Sequence, residues 1–412
     1  MDMKQKTKLR ETLTARRAEQ FAFLADLVRQ SSENPPGDCR EIATYLSAYI
    51  GSLGLNVSKY PKPEGDAVIN EQGLTNLVVR HVFGDGPTIA LVAHADTAIA
   101  GANWTHDPFE APIVDGHMYG CGVVSAKGAL AAYVFALLAL RDHPQGLSGT
   151  VELHITFDGQ TGGDLGGRWL LSSKLVAPDL AIAAGTTHSL ITAASGCLQL
   201  DVTIKGRAAS ASRPEQGVDA LEAAARVMAA LYDLREVNAK IKSKVAGIGG
   251  PSVIVSNVKG GESPRNVAAC ATITVSRQLI PEEDPTKVER ALTTLIGTAA
   301  VKVPGVLCKV RRKALFLPML ATEGTEKLIA AFQRHAPDVL GNQLKTMGTA
   351  MDTDGRHYAN AGIPTVLYGV GPENPVDANV EGVDEVLALD DLRRSTELLV
   401  LVLSDLLAAD AR

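Results

Sequence analysis

One stretch, residues 91–130, constrains the fold of this 412-residue chain more than any other. Its apolar residues from Leu91 end at His94 and Asp96, and a long loop then leads to a turn of small residues, 120–128, that enters a helix. An apolar run that stops at a His and an Asp predicts a buried strand with polar groups at its carboxyl end, where open α/β sheets place their sites. We therefore expect a functional site at His94 and Asp96.

The segments around this stretch alternate between strands and helices. Strands are predicted from short apolar runs, and helices from apolar residues at helical spacing. The predicted strands are 76–81, 88–93, 151–157, 180–184 and 364–368, and the predicted helices include 126–141, 167–173, 323–335 and 389–408. This alternation predicts an α/β fold with a mixed, mainly parallel sheet and helices on both faces.

The pattern changes at about residue 193. From there to about residue 312 the predicted order is β-α-β-β-α-β, beginning with a strand at 197–204 that alternates apolar and polar residues. We expect an α+β, ferredoxin-like domain at 193–312, inserted between the two parts, 1–192 and 313–412, of one sheet domain.

Charge and hydropathy exclude several classes of partner. The net charge is −6 and the basic cluster 309–313 is too small for a phosphate-binding surface, which argues against nucleic acid. The longest apolar run, 129–140, is shorter than the roughly 20 residues of a membrane-spanning helix. The N-terminal segment has no secretory signal pattern and the cysteines form no C-x-x-C pair. We expect a cytoplasmic protein with reduced thiols and no membrane partner.

Several motifs in order resemble one enzyme family. They are His94-x-Asp96, Trp104 with Asp107-Pro108-Phe109, Asp115-Gly116 with Tyr119-Gly120-x-Gly122, and Lys127-Gly128. Together they resemble the dizinc metallopeptidase family of aminoacylase, acetylornithine deacetylase, succinyl-diaminopimelate desuccinylase and carboxypeptidase G. The resemblance implies that 193–312 is the lid and dimerisation domain of that family, and that the chain forms a homodimer through it.

The metal ligands that this resemblance implies are mostly absent. A dizinc centre needs His and carboxylate side chains at five positions. In this chain those positions hold His94, Ser125, Gln160, Gly185 and Asp377. The family's general base, a Glu, falls on Gly159. We therefore predict no dizinc centre and no cofactor, and leave open a relocated single metal that uses His188 and Asp164.

The positions that hold the substrate in the family are retained. Asn266 and Arg277 match the residues of the lid domain that bind the substrate carboxylate, and Arg356 with the Gly348-Thr349 turn matches the carboxylate-binding region of the sheet domain. Arg suits this task because its planar guanidinium binds a carboxylate through two hydrogen bonds. The resemblance thus implies a small amino-acid-derived carboxylate as the partner.

Three functions remain compatible with the sequence. In the first, Ser125, His94 and Asp96 form a nucleophile, base and orienting acid for metal-independent acyl transfer, with Lys127 as a charge stabiliser. A variant uses His94 and Asp377 as acid and base for a lyase or cyclisation step. In the second, the chain binds or senses such a ligand without converting it, and in the third it is an amidohydrolase with a relocated metal. Cys121 is a weaker candidate nucleophile than Ser125.

Overall fold

A computed structural model describes residues 3–61, 75–186 and 188–409. Contacts between residues divide the chain into two compact units. Unit 1 comprises Met1–Thr192, Ala321–Met347 and Thr353–Arg412, and unit 2 comprises Ala193–Leu320 and Gly348–Asp352. Our predicted boundary at residue 312 lies inside a strand, because Leu307–Phe316 is continuous in unit 2.

Helices and strands follow one another along the chain largely as the sequence pattern predicts. The helices are α1 (Met3–Ala15), α2 (Arg17–Arg29), α3 (Arg40–Ser52), α4 (Lys127–Asp142), α5 (Gly167–Ser172), α6 (Ala220–Asn238), α7 (Pro285–Ala300), α8 (Thr325–Leu340), α9 (Gly355–Asn360) and α10 (Leu389–Leu406). The first strands are β1 (Asn56–Pro61), β2 (Thr75–Val82), β3 (Thr88–His94), β4 (Ile113–Val114), β5 (His117–Tyr119), β6 (Thr150–Thr156), β7 (Leu180–Gly185) and β8 (Leu190–Ala194). The remaining strands are β9 (Gly196–Lys205), β10 (Ser252–Gly260), β11 (Cys270–Leu279), β12 (Leu307–Phe316), β13 (Thr346–Thr349), β14 (Thr365–Gly369) and β15 (Val386–Ala388).

The large sheet of unit 1 has the strand order β1-β2-β6-β3-β7-β14-β8-β13. Its central strands β6, β3, β7 and β14 run parallel, whereas β1 and β2 pair antiparallel on one side and β8 pairs antiparallel with β14 on the other. This mixed sheet confirms the predicted fold class. Because the parallel strands share one direction, β3, β6, β7 and β14 all end at the same edge of the sheet.

Helices cover both faces of this sheet. On one face α4 is buried at every position from Lys127 to Leu140 and packs in the main core. A helix that is apolar on all sides is typical of a protein interior. The apolar run Ala129–Leu140 is therefore accounted for by a buried core helix. On the other face Val78 of β2 packs with Leu170 of α5 and Val176. Among the described residues, no helix combines the length and apolarity that a membrane span requires.

Unit 2 is an α+β unit with the predicted order β9-α6-β10-β11-α7-β12. Its antiparallel sheet has the strand order β10-β11-β9-β12. Alternate residues of β9, Leu198, Leu200, Val202 and Ile204, are buried with the apolar residues of α6 and α7. Asp219 and Asp284 cap the two helices, each accepting hydrogen bonds from the first turn. The elements of this unit follow one another in the order that the sequence pattern predicts.

Candidate active site

The candidate site of unit 1 lies where its parallel strands end. His94 is the last residue of β3 and pairs with Thr156, the last residue of β6. Gly159 and Gln160 follow β6 in a 3-10 turn, and Gly185 ends β7. The strand ends therefore bring His94, Gly159, Gln160 and Gly185 to one edge of the sheet, as the sequence pattern indicates.

His94 and Asp96 form a hydrogen-bonded pair. His94 Nδ1 lies 2.9 Å from the backbone oxygen of Asp96 and 3.1 Å from its Oδ1, and the Asp96 side chain is fully buried. Burial acts to lower the pKa of His94, but the hydrogen bond and charge of Asp96, with the nearby Asp354, raise this pKa from 6.5 to about 9. His94 is therefore an imidazolium at neutral pH, which is a hydrogen-bond donor rather than a base.

Asp96 also organises the backbone around the pair. Its Oδ1 accepts a hydrogen bond from the Gly159 N–H at 3.0 Å, and its Oδ2 accepts from the Gln160 N–H at 3.0 Å and from Asn34 Nδ2 at 3.0 Å. Burial acts to raise the pKa of Asp96, but the bonds from His94, Gln160 and Asn34 outweigh it and lower this pKa. Sequence reasoning missed Asn34, since Glu33-Asn34-Pro35 reads there only as a break between helices.

The His94 ring packs against Gly159, the position at which the family resemblance implies a general base. Gly159 has no side chain, and a Cβ added to it would lie 2.3 Å from His94 Cγ, 2.6 Å from Cδ2 and 2.7 Å from Nδ1. Any side chain at residue 159 would therefore collide with the ring that Asp96 holds. The present position of His94 therefore depends on a glycine at residue 159.

Gly159→Ala is expected to lower the free energy of unfolding by about 1–3 kcal/mol, the usual cost of forcing atoms into a packed site. Urea denaturation measures this change in the free energy of unfolding. Gly51→Ala is the matched control, because Gly51 lies within α3 and an added Cβ meets nothing within 4 Å. There we expect no loss, or a gain of up to about 1 kcal/mol from helix propensity. Equal effects at the two positions would contradict the packing of His94 on Gly159.

Glu385 holds the small-residue turn that leads into α4. It is 1% exposed, and its carboxylate accepts hydrogen bonds from the N–H groups of Gly122, Val124 and Ser125 at 2.8–2.9 Å. Burial raises the pKa of Glu385 against these bonds. Ala126 follows with a φ of 79°, a left-handed conformation that an alanine adopts only when its surroundings impose it.

Ser125 meets Glu381 rather than His94. Ser125 Oγ donates to Glu381 Oε1 at 3.2 Å, and Gln160 Nε2 donates to the same oxygen at 3.2 Å. Within the described residues, no hydrogen bond joins Ser125 to His94. Two positions at which the family resemblance implies metal ligands, Ser125 and Gln160, thus converge on a single carboxylate.

Asp377, which we predicted to be a site residue, lies on the loop after β14 and apart from the Ser125–Glu381–Gln160 contacts. It belongs to a 3-10 turn at 375–378, is exposed, and accepts a hydrogen bond from Asn374 Nδ2 at 3.0 Å. Glu381, four residues later, reaches Ser125 and Gln160 instead. The sequence did contain an indication of this, because Glu381 lies four residues before the buried Glu385. The end of the loop thus carries two acidic residues.

Cys121 and Lys127 belong to the small-residue turn at 120–128, and neither is placed to act as a nucleophile or base at Ser125. Lys127 is 0% exposed and its Nζ donates to the backbone oxygen of Gln30 at 2.9 Å. Burial lowers the pKa of Lys127 from 10.5 to about 8, although Cys121 and Glu385 act to raise it. Burial also raises the pKa of Cys121, whose Sγ donates to the Ala98 oxygen at 3.4 Å. A thiol with a raised pKa is a poor nucleophile.

The residues present do not fit a dizinc centre. Gly185 offers no side chain, and a Cβ there would already lie 3.3 Å from the backbone of β14. Over the described ranges, no three His, Cys, Asp or Glu side chains are grouped closely enough to hold a metal ion. Of the alternative ligands, His188 lies 3.9 Å from Asp391 and Asp164 pairs with Arg168 at 3.2 Å.

The predicted substrate anchors divide between the two units. In unit 2, Arg277 is 4% exposed and pairs with Glu283 at 2.6 Å, whereas Asn266 is exposed. Gly348 and Thr349 also belong to unit 2, where the Gly348 N–H donates to the Ala246 oxygen at 2.7 Å. In unit 1, Arg356 is 3% exposed and donates to the backbone oxygens of Gly162 and Thr353. Both arginines thus bond within their own unit.

Comparison with known proteins identifies the family. The model of peptidase family M20/M25/M40 matches residues 90–405. The chain belongs to this family. It is 24% identical over 407 residues to N-formyl-4-amino-5-aminomethyl-2-methylpyrimidine deformylase of Halalkalibacterium halodurans, covering 93% of each chain. It is 25% identical over 393 residues to succinyl-diaminopimelate desuccinylase of Acidiphilium cryptum, covering 92% of this chain and 96% of that one.

Solved structures show the same fold. The M20 metallo-carboxypeptidase Sso-CP2 of Sulfolobus solfataricus superposes with a TM-score of 0.75 at 16% identity, covering 93% of this chain and 98% of that chain. This chain is therefore a peptidase-like member of the M20 family, which confirms the predicted resemblance. Ser125, Gln160 and Gly185 stand where the family resemblance implies metal ligands.

Proposed function

We propose that this M20 protein is a metal-independent enzyme that acts on a small carboxylate-bearing amide or amino-acid derivative by acyl transfer to Ser125. The observation that carries the proposal is the hydrogen bond from Ser125 Oγ to Glu381 Oε1 at 3.2 Å. A carboxylate that accepts the hydroxyl hydrogen is placed to take that proton when the oxygen attacks. Glu381 thus takes the role that we gave to His94 from the sequence.

The reaction balances with these groups and water. Ser125 Oγ bonds to the amide carbonyl carbon while its proton passes to Glu381. The C–N bond then breaks, and the amine leaves with the proton that Glu381 returns. Water next attacks the acyl-serine ester, Glu381 takes its proton and returns it to Ser125, and the free acid leaves. The sum is one amide and one water converted to one amine and one acid.

The other site residues support this chemistry. His94, held as an imidazolium by Asp96, supplies positive charge and an N–H donor at the same strand ends. Gln160 orients Glu381 by donating to the oxygen that Ser125 also contacts. Lys127 is assigned a structural task, because its Nζ is bonded to the Gln30 oxygen. Asn266, which is exposed, remains the proposed contact for the substrate carboxylate, whereas Arg277 and Arg356 would first have to give up their present bonds.

A second candidate function is binding without conversion. It is favoured by Gly159, which leaves the family's base position filled by the His94 ring. Such a protein would hold or sense the same class of ligand. We also retain, as proposals, a cytoplasmic location and a homodimer through unit 2, where β10 is an edge strand that exposes Ile254 and Val258 by 50% and 49%.

Ser125→Ala is expected to lower turnover of the best substrate from a panel of N-acyl amino acids at least about 100-fold, because the nucleophile is lost. Thermal stabilisation by that substrate should persist, since binding does not need the hydroxyl. Ser173→Ala, at an exposed serine after α5, is the control for loss of a hydroxyl. Binding by wild type without turnover would favour the second candidate, and turnover that a chelator abolishes would favour a relocated metal.

A further inference from the structure

We propose that the polar face of the unit 2 sheet binds a phosphoryl group, carried either by inorganic phosphate or by a small phosphorylated metabolite. Lys259 and Lys309 hold the group from its two sides. The hydroxyls of Thr203 and Thr272 donate to it from the sheet. The site uses no residue of the candidate active site in unit 1, so it does not depend on the proposed acyl transfer.

The two faces of this sheet differ in polarity. Within unit 2, α6 and α7 pack on the apolar residues of one face, and the residues that alternate with them along β9 point to the other. Polar side chains from all four strands line one groove on this second face: Asp201 and Thr203 of β9, Asn257 and Lys259 of β10, Thr272 and Thr274 of β11, and Lys309 and Arg311 of β12. This face therefore offers hydrogen-bonding and charged groups to a ligand from solvent.

The strand register places four of these side chains in one row across the sheet. Thr272 and Thr203 are partners on the two central strands. On the outer strands, Lys259 is the partner of Thr272, and Lys309 is the partner of Thr203. Neighbouring strands lie about 4.8 Å apart, so the two lysine Cα atoms are separated by about 14 Å. The flexible four-carbon stem of each lysine lets its ammonium group reach an anion placed above the two threonines.

This lysine row keeps its donors for a ligand. Among the described residues, none of its four side chains forms a hydrogen bond or ion pair. In the neighbouring row, by contrast, Asp201 accepts a hydrogen bond from Thr274 Oγ1 at 3.1 Å and lies 3.9 Å from Arg311. The groove thus carries three cations and one carboxylate that has partners in its own row, on a chain whose net charge is −6. This local excess of positive charge favours an anion.

The kinds of donor favour a phosphoryl group over a carboxylate. A phosphate monoester carries about −1.5 to −2 charges at pH 7 and presents several acceptor oxygens. Two ammonium groups and two hydroxyls match that charge and those oxygens, since lysine binds phosphate as a point charge. A carboxylate suits the planar guanidinium of arginine instead, and Arg311 already lies beside Asp201. Two lysines are too few for a nucleic-acid backbone, whose binding uses many phosphate contacts.

Calorimetric titration of the full chain at neutral pH and constant ionic strength tests the site with inorganic phosphate, glycerol phosphate and succinate. We expect saturable binding of the phosphates and at least about tenfold weaker binding of succinate. Lys259→Met and Lys309→Met should each weaken phosphate binding at least about tenfold, because each removes a charge-assisted hydrogen bond. Tighter binding of glycerol phosphate than of inorganic phosphate would identify a phosphorylated metabolite as the ligand, and equal binding would identify the phosphoryl group alone.

Two further variants separate the site from damage to the fold and from general charge. Asp201→Asn removes the neighbouring carboxylate and should strengthen phosphate binding about threefold, a gain that a folding defect would not produce. Lys302→Met, at an exposed position after α7, removes one lysine outside the groove and should change the affinity less than about twofold. Absence of saturable phosphate binding, wild-type affinity in both groove lysine variants, an equal loss in Lys302→Met, or tighter binding of succinate than of phosphate would overturn the inference.

Discussion

Replacing Lys127 with Met is expected to remove about 3 kcal/mol of pH-dependent stability between pH 8 and pH 10.5. Lys127 is fully buried, and burial lowers its pKa from 10.5 to about 8. Below pH 8 the ammonium is charged in both the folded and the unfolded chain, so the fold bears the whole cost of burying it. Between the two pKa values the unfolded chain binds more protons, so the wild-type free energy of unfolding rises with pH. Met carries no charge, and the variant lacks this rise.

Urea unfolding of wild type and Lys127→Met at pH 8 and pH 10.5 measures the effect as a change in the difference between the two proteins. Comparing differences cancels the titration of all other groups. Lys8→Met, at an exposed position of α1, controls for the loss of one lysine from the chain. If the free energies of unfolding of wild type and Lys127→Met differ by the same amount at both pH values, burial of a charged Lys127 does not cause the rise of stability with pH.

The His94–Asp96 pair is expected to lose about 3 kcal/mol of stabilising interaction as the pH rises from 6.5 to 9. The pKa of His94 is raised in the folded chain from 6.5 to about 9, chiefly by Asp96 against the effect of burial. The contribution is fully present below pH 6.5 and is lost as the pH passes through 9, because the folded chain then releases the proton that held the ion pair. The stability contributed by this pair falls as the pH rises, whereas the titration of Lys127 makes stability rise with pH.

A double-mutant cycle of His94→Gln and Asp96→Asn isolates this interaction. We expect the coupling free energy to be largest at pH 6 and to fall toward the value of a neutral hydrogen bond, about 1 kcal/mol, above pH 9. Nuclear magnetic resonance titration of the His94 ring in wild type and Asp96→Asn gives an independent readout. A coupling free energy that does not change with pH would show that His94 is neutral in the fold.

Two buried acidic residues of this chain hold backbone N–H groups in place. Asp96 accepts hydrogen bonds from the backbone N–H groups of Gly159 and Gln160, and Glu385 accepts three from the turn before α4. Removing either carboxylate would leave buried N–H groups unpaired, at about 1–3 kcal/mol each. The side chains of Ser125 and Gln160 instead donate hydrogen bonds to the Glu381 carboxylate.

The fold class was predictable from the sequence, and so was the position of His94 and Asp96 where a buried strand ends. These features follow from local patterns: strand and helix periodicities identify the elements, and a two-residue spacing at the end of a strand brings an imidazole and a carboxylate together. The run that forms α4 was likewise predictable as a buried helix, because it is apolar on every side.

The partners that complete the site depend on contacts between residues far apart in the sequence. Ser125 meets Glu381 across 256 residues of sequence, and Asp96 meets Asn34 across 62. Both partners lie on loops, whose paths depend on where the sheet and its neighbouring helices place their ends rather than on a repeating pattern of residues. The family resemblance implied Asp377 as a site residue on the loop after β14, whereas Glu381, which has a positive φ, contacts Ser125.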